Sequence, residues 1–442
     1  RRAMSQNHSV SLSGGTGKSN FYSSLNYTDQ DGIVKLTQYQ RFQGRLNFEH
    51  TVNERFKFGF NFNTSQENNF SVPVNGFSIN HDADAINSAL NTPPVFPVAN
   101  PDGSYYRPES GTPISVTLDN PVAIIEGQRA KDRINRTLAN VYGEYRIVTG
   151  LHARVNIASD RVNSRRDLYL SRISQVGNSV GGSAAVQSGE LGNILLEGTL
   201  NYAKLVGGNH SINAVAGVTA QQFDERTVGV GTKGFPSDVA ETNNLGQGTV
   251  EFNTAGSYFG RRRLLSYLAR VNYGFRDKYL FTGTIRADGS SNFGANNRFG
   301  YFPSFSAAWN IAEEDFLATA NAISSLKLRV GWGQIGNDDI GIGIALSTYA
   351  GNGNVVLDGA LRTAIAPARI PNPDLKWETS QQTNFGLDFG LFESRLRGSI
   401  DYFLKTNKDL LFNLPIPSSS GFAIFTDNIG KINNRGVELF LT

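Results

Sequence analysis

The chain is 442 residues long with a formal net charge of +3, one Met and no Cys. That balance of charge argues against a nucleic-acid partner, and the lack of Cys excludes a disulfide framework and thiolate metal sites. No apolar run approaches the ~18 residues that a membrane helix needs, while 47 Gly and 45 Phe plus Tyr suit many strands, many turns and aromatic belts.

Taken in order, the chain repeats one pattern: strand, turn, strand. Near the start, Val10 and Leu12 alternate with Ser9, Ser11 and Ser13, GGTGK at 14–18 turns, and Phe21 to Thr28 returns. From Arg41 to Val52, the residues Phe42, Gly44, Leu46 and Phe48 share one face; Arg41, Gln43, Arg45, Asn47 and Glu49 share the other. After a tight turn, Phe56, Phe58, Phe60 and Phe62 alternate with Lys57, Gly59, Asn61 and Asn63. Such period-two alternation predicts strands with one apolar and one polar face. The pattern then lapses over 69–134, where Pro93-Pro94, Pro97, Asn100-Pro101-Asp102-Gly103 and Pro121 mark a long loop.

Strands resume at Thr137–Ile147 and 151–157, and again at Leu196–Tyr202 and Ile212–Ala220, with loops expected over 163–192 and 223–262. The longest regular stretch follows: Tyr267 to Phe275, Tyr279 to Asp288 and Pro303 to Ile311. A short helical connection is expected at 312–325, then a strand from Leu326 to Trp332, a loop over 336–378, and strands at Thr383–Phe389 and Leu396–Leu404. A loop over 407–432 precedes a final strand beginning near Gly436.

Two architectures compete for such strands. A soluble sandwich uses strands of ~5–6 residues around a core. A membrane barrel uses strands of ~10 residues, with an apolar face to lipid, a polar face to the lumen and aromatic girdles at the rims. The segment lengths, and Arg, Asn and Thr running through one face, fit the barrel. The connections also alternate short and long, as in an up-and-down outer-membrane barrel with short periplasmic turns and long outer loops. The expected fold is therefore all-β: a transmembrane antiparallel up-and-down barrel, with about fifteen strands in this chain. Phe56, Phe58, Phe60 and Phe62 are expected to face lipid, and Arg41, Arg45, Arg270, Arg286 and Arg329 to face the lumen.

Four segments resemble the SusC/RagA-like TonB-dependent transporters of Bacteroidota outer membranes. They are SVSLSGGTGKSNFYSSLNYTDQDGIVK at 9–35; YLARVNYGFRDKYLFTGTIRADGSSNFGANNRFGYFPSFSAAWNIAEEDF at 267–316; LKLRVGWGQIGN at 326–337; and PNPDLKWETSQQTNFGLDFGLF at 371–392, continuing into IGKINNRGVEL. The resemblance implies a 22-stranded barrel with an N-terminal plug, energised through TonB-ExbB-ExbD and capped by a SusD-like surface lipoprotein that captures oligosaccharides or peptides. On that reading all of 1–442 is barrel domain. On the same reading the five lumen arginines pack against the plug rather than line a permeation path. The plug, the Ton box and the final strands are expected to lie outside this chain, which reads as an internal fragment: RRAMSQNHSV has no leader-like character and GVELFLT ends within a strand. A passive porin, an adhesion or secretion barrel, and a soluble β-rich binding protein or glycan-active enzyme are the competing functions.

No catalytic constellation emerges, and neither an enzyme nor a cofactor is expected. His8, His50, His81, His152 and His210 are scattered without metal-ligand spacing. Gly331–Gly343 lacks the Lys-Ser/Thr of a phosphate loop, and Asp288-Gly289-Ser290-Ser291 reads as a turn. Sugar faces pack on aromatic rings while hydroxyls need hydrogen bonds. The expected outer-loop aromatics Phe77, Tyr105, Tyr106, Trp377, Phe422 and Phe425 are therefore candidate substrate contacts, although packing within the loops or against the capping lipoprotein is the simpler reading of each.

Overall fold

The computed structural model describes residues 2–72, 84–107, 119–317, 320 and 322–442. Its strands are β1 (Ser5–Gly15), β2 (Ser19–Asp31), β3 (Gln38–Thr51), β4 (Phe56–Ser71), β5 (Gln128–Val148), β6 (Leu151–Leu170), β7 (Ser183–Val206), β8 (His210–Lys233), β9 (Thr254–Phe275), β10 (Tyr279–Ser290), β11 (Phe299–Asn310), β12 (Ile323–Asn337), β13 (Tyr349–Leu357), β14 (Ala360–Pro367), β15 (Glu378–Leu391), β16 (Leu396–Lys408), β17 (Leu411–Pro415), β18 (Ile424–Asn428) and β19 (Lys431–Leu441). Fifteen of them form one sheet in the order β1 to β12, β15, β16, β19, each antiparallel to the next. The hairpins β13–β14 and β17–β18 are separate. Short helices α1 (Ala85–Asn91), α2 (Pro121–Gly127) and α3 (Gln175–Ser179) lie in the connections at one rim, and no described helix is long and apolar enough to cross a membrane.

The register sorts side chains onto two faces. Directly opposed residues share a face, and Phe48, Phe60, Val141, Ile157, Leu196, Ala220 and Leu265 form one continuous row across β3 to β9. Phe56, Phe58 and Phe62 flank that row on β4. This face is open: Val141 is 56% exposed and Ile157 55%. Towards the end with short turns it carries an aromatic ladder, in which Tyr279 stacks on Phe275 and on Trp309 at 6.3 Å each. An uncovered aliphatic and aromatic surface of this extent is not sustainable in water.

Several connections differ from the sequence expectation. Residues expected as loops over 163–192 and 223–262 are largely strand, because β6 to β9 each run 20–24 residues. Their upper halves carry polar residues on both faces, so the period-two signal vanishes although the ladder continues. The loop expected at 69–134 contains α1 and α2 and already enters β5 at Gln128. The loops at 336–378 and 407–432 each contain a hairpin, and the last strand starts at Lys431 rather than near Gly436. The helical connection at 312–325 is replaced by two 3-10 turns, Ile311–Glu313 and Asp315–Leu317. Strand β12 follows at Ile323.

That connection is held by a carboxylate. Glu314 accepts hydrogen bonds from the Tyr279 hydroxyl at 2.7 Å, the Trp309 indole at 3.0 Å and Lys278 Nζ at 3.2 Å. These donors, Tyr279 foremost, hold its carboxyl below the usual range. A depressed folded value means that the clamp stabilises above the unfolded pKa of about 4.3 and is lost as pH falls through the lower folded value. Glu314→Gln is expected to lower thermal stability at pH 7 and to remove this increment from the acid limb; unfolding followed by gel mobility from pH 7 to 3 checks it.

Candidate functional site

The opposite face is polar and carries the larger of the two buried apolar clusters among the described residues. Asn47, Asn61, Asn140 and Asn156 lie along it, with Asn61 donating to Asn140 at 3.2 Å and Asn140 to Asn156. The five arginines singled out in the sequence all fall on this face by register. Three are engaged by the wall's own carboxylates. Arg329 makes a bidentate pair with Asp388 at 2.7 Å and reaches Asp401 at 3.0 Å. Arg286 binds Asp288 at 2.7 and 2.8 Å, and Arg41 lies 3.3 Å from Glu67. Gly386 makes room for the Arg329 triad, since a Cβ there would meet Arg329 Cζ at 2.8 Å. Arg270 instead donates to the Thr284 hydroxyl at 3.1 Å, and Arg45 sits over the Tyr22 ring at 5.8 Å.

Above the asparagines, the segment after β12 folds against the polar face. Ile340 and Ala345 pack with Phe293, Phe302, Leu375 and Trp377 in the largest apolar cluster among the described residues. Beside it opens a cleft of about 670 Å³, lined by residues of β5 to β9 and by 339–342. One wall is the Arg136–Asp160 pair, bidentate at 3.0 and 2.7 Å. The other is Arg262, whose guanidinium lies 4.5 Å from the Phe223 ring and 3.4 Å from Asp338. Tyr258, Glu225, Asn193 and Asp339 complete the polar lining, and Tyr258 is 47% exposed.

The floor is tightly bonded except at one atom. Ser290 Oγ donates to Asp338 at 2.7 Å, and Asn292 Nδ2 donates to the Asp338 carbonyl at 3.0 Å. Asn292 is 2% exposed and lines the cleft, yet its Oδ1 has no hydrogen-bond partner among the described residues. A buried acceptor left unsatisfied costs about 1–3 kcal/mol. With an aromatic ring and charges of both signs, this cleft suits a polar solute carrying many hydrogen-bonding groups.

None of the described loop aromatics lines this cleft. Tyr105 donates to Glu126 of α2 at 2.5 Å, which raises its pKa, and Tyr106 packs on Phe96 at 5.3 Å. Trp377 is 8% exposed, lies 5.2 Å from Phe293 and donates its indole N–H to the Arg298 carbonyl at 3.2 Å. Phe425 opposes Leu414 in the β17–β18 hairpin, and the Phe422 amide donates to Ser420 Oγ at 3.3 Å. Phe77 lies outside the described residues. Phe223, Glu225, Tyr258 and Arg262 escaped sequence reasoning because 223–262 reads as loop: Phe223 and Glu225 share a face, so an apolar and a charged residue on one side of β8 hide its continuation.

Comparison with known proteins gives one answer. Residues 3–442 match the family described as TonB dependent receptor-like, beta-barrel. The chain is 33% identical over 437 residues to "TonB-dependent receptor P3" of Formosa agariphila, spanning 98% of this chain and 43% of that protein. It is 31% identical over 462 residues to "TonB-dependent receptor SusC" of Bacteroides thetaiotaomicron, covering 99% and 44%. Among solved structures, "Structure of the RagAB peptide transporter" superposes with a TM-score of 0.84 at 26% identity, over 99% of this chain and 48% of that one. The chain thus spans less than half the length of these relatives.

Proposed function

The chain belongs to the TonB-dependent receptor-like β-barrel family, and from that premise we propose that it supplies the wall of an outer-membrane importer for oligosaccharides or glycan fragments. Import is energised through TonB-ExbB-ExbD, acting on an N-terminal plug, and is served by a SusD-like surface lipoprotein. Phe56, Phe58, Phe60 and Phe62 face lipid, and the polar face lines the lumen. Arg45 and Arg270, which pair with no carboxylate among the described residues, are the plug's electrostatic contacts.

The observation that carries this reading is the pairing of opposites on one sheet. An exposed apolar face fits a bilayer, and behind it lies a 670 Å³ cleft with an unsatisfied buried acceptor. Peptide import is a second reading, favoured by the mixed charge of Arg136, Asp160, Glu225 and Arg262 and by the likeness to the RagAB peptide transporter. No sequence signal asks for a catalytic role.

The test is isolation of the protein, expressed from its own gene, from native outer membranes in mild detergent. A stoichiometric surface lipoprotein with glycan or peptide attached is expected. A barrel that emerges alone, with an open conductance in planar bilayers, would leave a passive porin instead. With the co-purified compound as probe, Tyr258→Ala should weaken binding about tenfold, the scale of one ring contact of ~1.4 kcal/mol. Lipoprotein association should be unchanged. Equal affinity would remove the cleft from the pathway.

A further inference from the structure

We propose that the apolar face carries, at its upper margin, a binding site for the phosphate-bearing headgroup of an outer-leaflet lipid. The site rests on the reading that this face meets the bilayer. Four residues along β4 from Phe60 lies Thr64, and its row reads Thr64, Thr137, Arg161, Gly192, Asp224, Arg261. The next row upward includes Asn163, Glu190, Arg226 and Phe259. Each arginine of the Thr64 row stands four residues along its own strand from the apolar row, Arg161 beyond Ile157 on β6 and Arg261 beyond Leu265 on β9, about 10 Å of height at about 3.4 Å per residue and a strand tilt near 40°. That places them at the upper margin of the exposed apolar surface, where headgroup phosphates meet a barrel.

Three arginines surround a shallow cleft of about 190 Å³ there, lined by Arg161, Arg226 and Arg261 with Glu190, Asp224 and Phe259. Arg261 is committed to Asp224, at 2.7 and 2.9 Å, and lies over the Phe259 ring at 5.4 Å. Arg226 stacks on the same ring at 5.5 Å. Neither Arg161 nor Arg226 pairs with a carboxylate among the described residues, although Glu190 stands opposite Arg226 in the register. Two exposed guanidinium groups immediately above an acyl-chain surface offer forked donors to a phosphate. The lipid tails are held below by Ile194 and Ile157. Position and charge together select a lipid headgroup over a soluble anion, which would have no use for the apolar surface beneath.

The test uses the protein in nanodiscs of phosphatidylcholine with one-tenth lipid A, in phosphorylated or dephosphorylated form, and counts retained lipid A by native mass spectrometry. The wild type should retain the phosphorylated form about tenfold more. Arg161→Ser/Arg226→Ser should abolish that preference, and Arg161→Lys/Arg226→Lys should keep most of it. A serine pair that retains the preference overturns the proposal. So does a wild type with none. Heat-modified gel mobility confirms that each variant is folded. The membrane reading is checked separately by a spin label at Val141→Cys: oxygen accessibility typical of hydrocarbon supports it, and water-like accessibility refutes it independently of lipid A retention.

Discussion

Phe60→Arg is expected to destabilise the complete barrel by about 2–4 kcal/mol, the cost of a cation on a lipid face near the bilayer midplane. Phe60 lies between Phe48 and Val141 in a row of seven apolar residues. Its ring meets Phe48 at 5.6 Å, so a guanidinium there would also lose that ring contact. The neighbouring position gives the opposite result. Asn61 is one residue on and on the other face, donating to Asn140 at 3.2 Å, and Asn61→Arg should cost little because that face is wet. Folding titrations into bilayers compare the two. A similar cost for both would mean that the assignment of faces is wrong, because a one-residue step exchanges the faces completely.

Trp377→Ala is expected to cost about 3–5 kcal/mol, as for other buried large-to-small aromatic changes. The ring is held at 5.2 Å from Phe293 and 5.5 Å from Phe302, with its N–H bonded to the Arg298 carbonyl at 3.2 Å. Gly336 and Gly300 admit the Phe302 ring so closely that a Cβ at either position would clash with it. The cluster therefore cannot readily collapse around a cavity. Because Ile340 and Ala345 belong to it, the segment after β12 should loosen, and the cleft floor at 339–342 with it. Hydrogen exchange should rise in 338–348 and ligand retention should fall, while strand amides stay protected. Unchanged exchange would show that Trp377 does not anchor this layer.

The barrel wall was legible in the sequence because one apolar face and one polar face impose a strict alternation. From Tyr267 to Asn310 each expected strand lies within an observed one, although β9 begins at Thr254 and β11 at Phe299 and Ile311 enters a 3-10 turn, and the turn at 276–278 was equally clear. Above the lipid boundary the constraint ends. Both faces of β8 beyond Gln222 are polar or mixed, so nothing in the pattern separates a continuing ladder from a loop. The cleft lies in that upper zone, which is why Tyr258 and Arg262 were invisible while Phe60 was not. Trp377 is a different case. An aromatic between turn residues reads either as a ligand platform or as loop packing, and it is burial against Phe293 and Phe302, distant in sequence, that favours packing. The five arginines share one face by parity, but the engagement of Arg329 by Asp388 and Asp401 depends on register between β12, β15 and β16.

The most direct test of the central claim is uptake. Cells expressing the protein from its own gene are given the compound that co-purifies with it, labelled, before and after depletion of TonB. Energised import through this wall predicts accumulation that ceases without TonB while surface binding by the lipoprotein persists. Accumulation that continues at the same rate without TonB would contradict it.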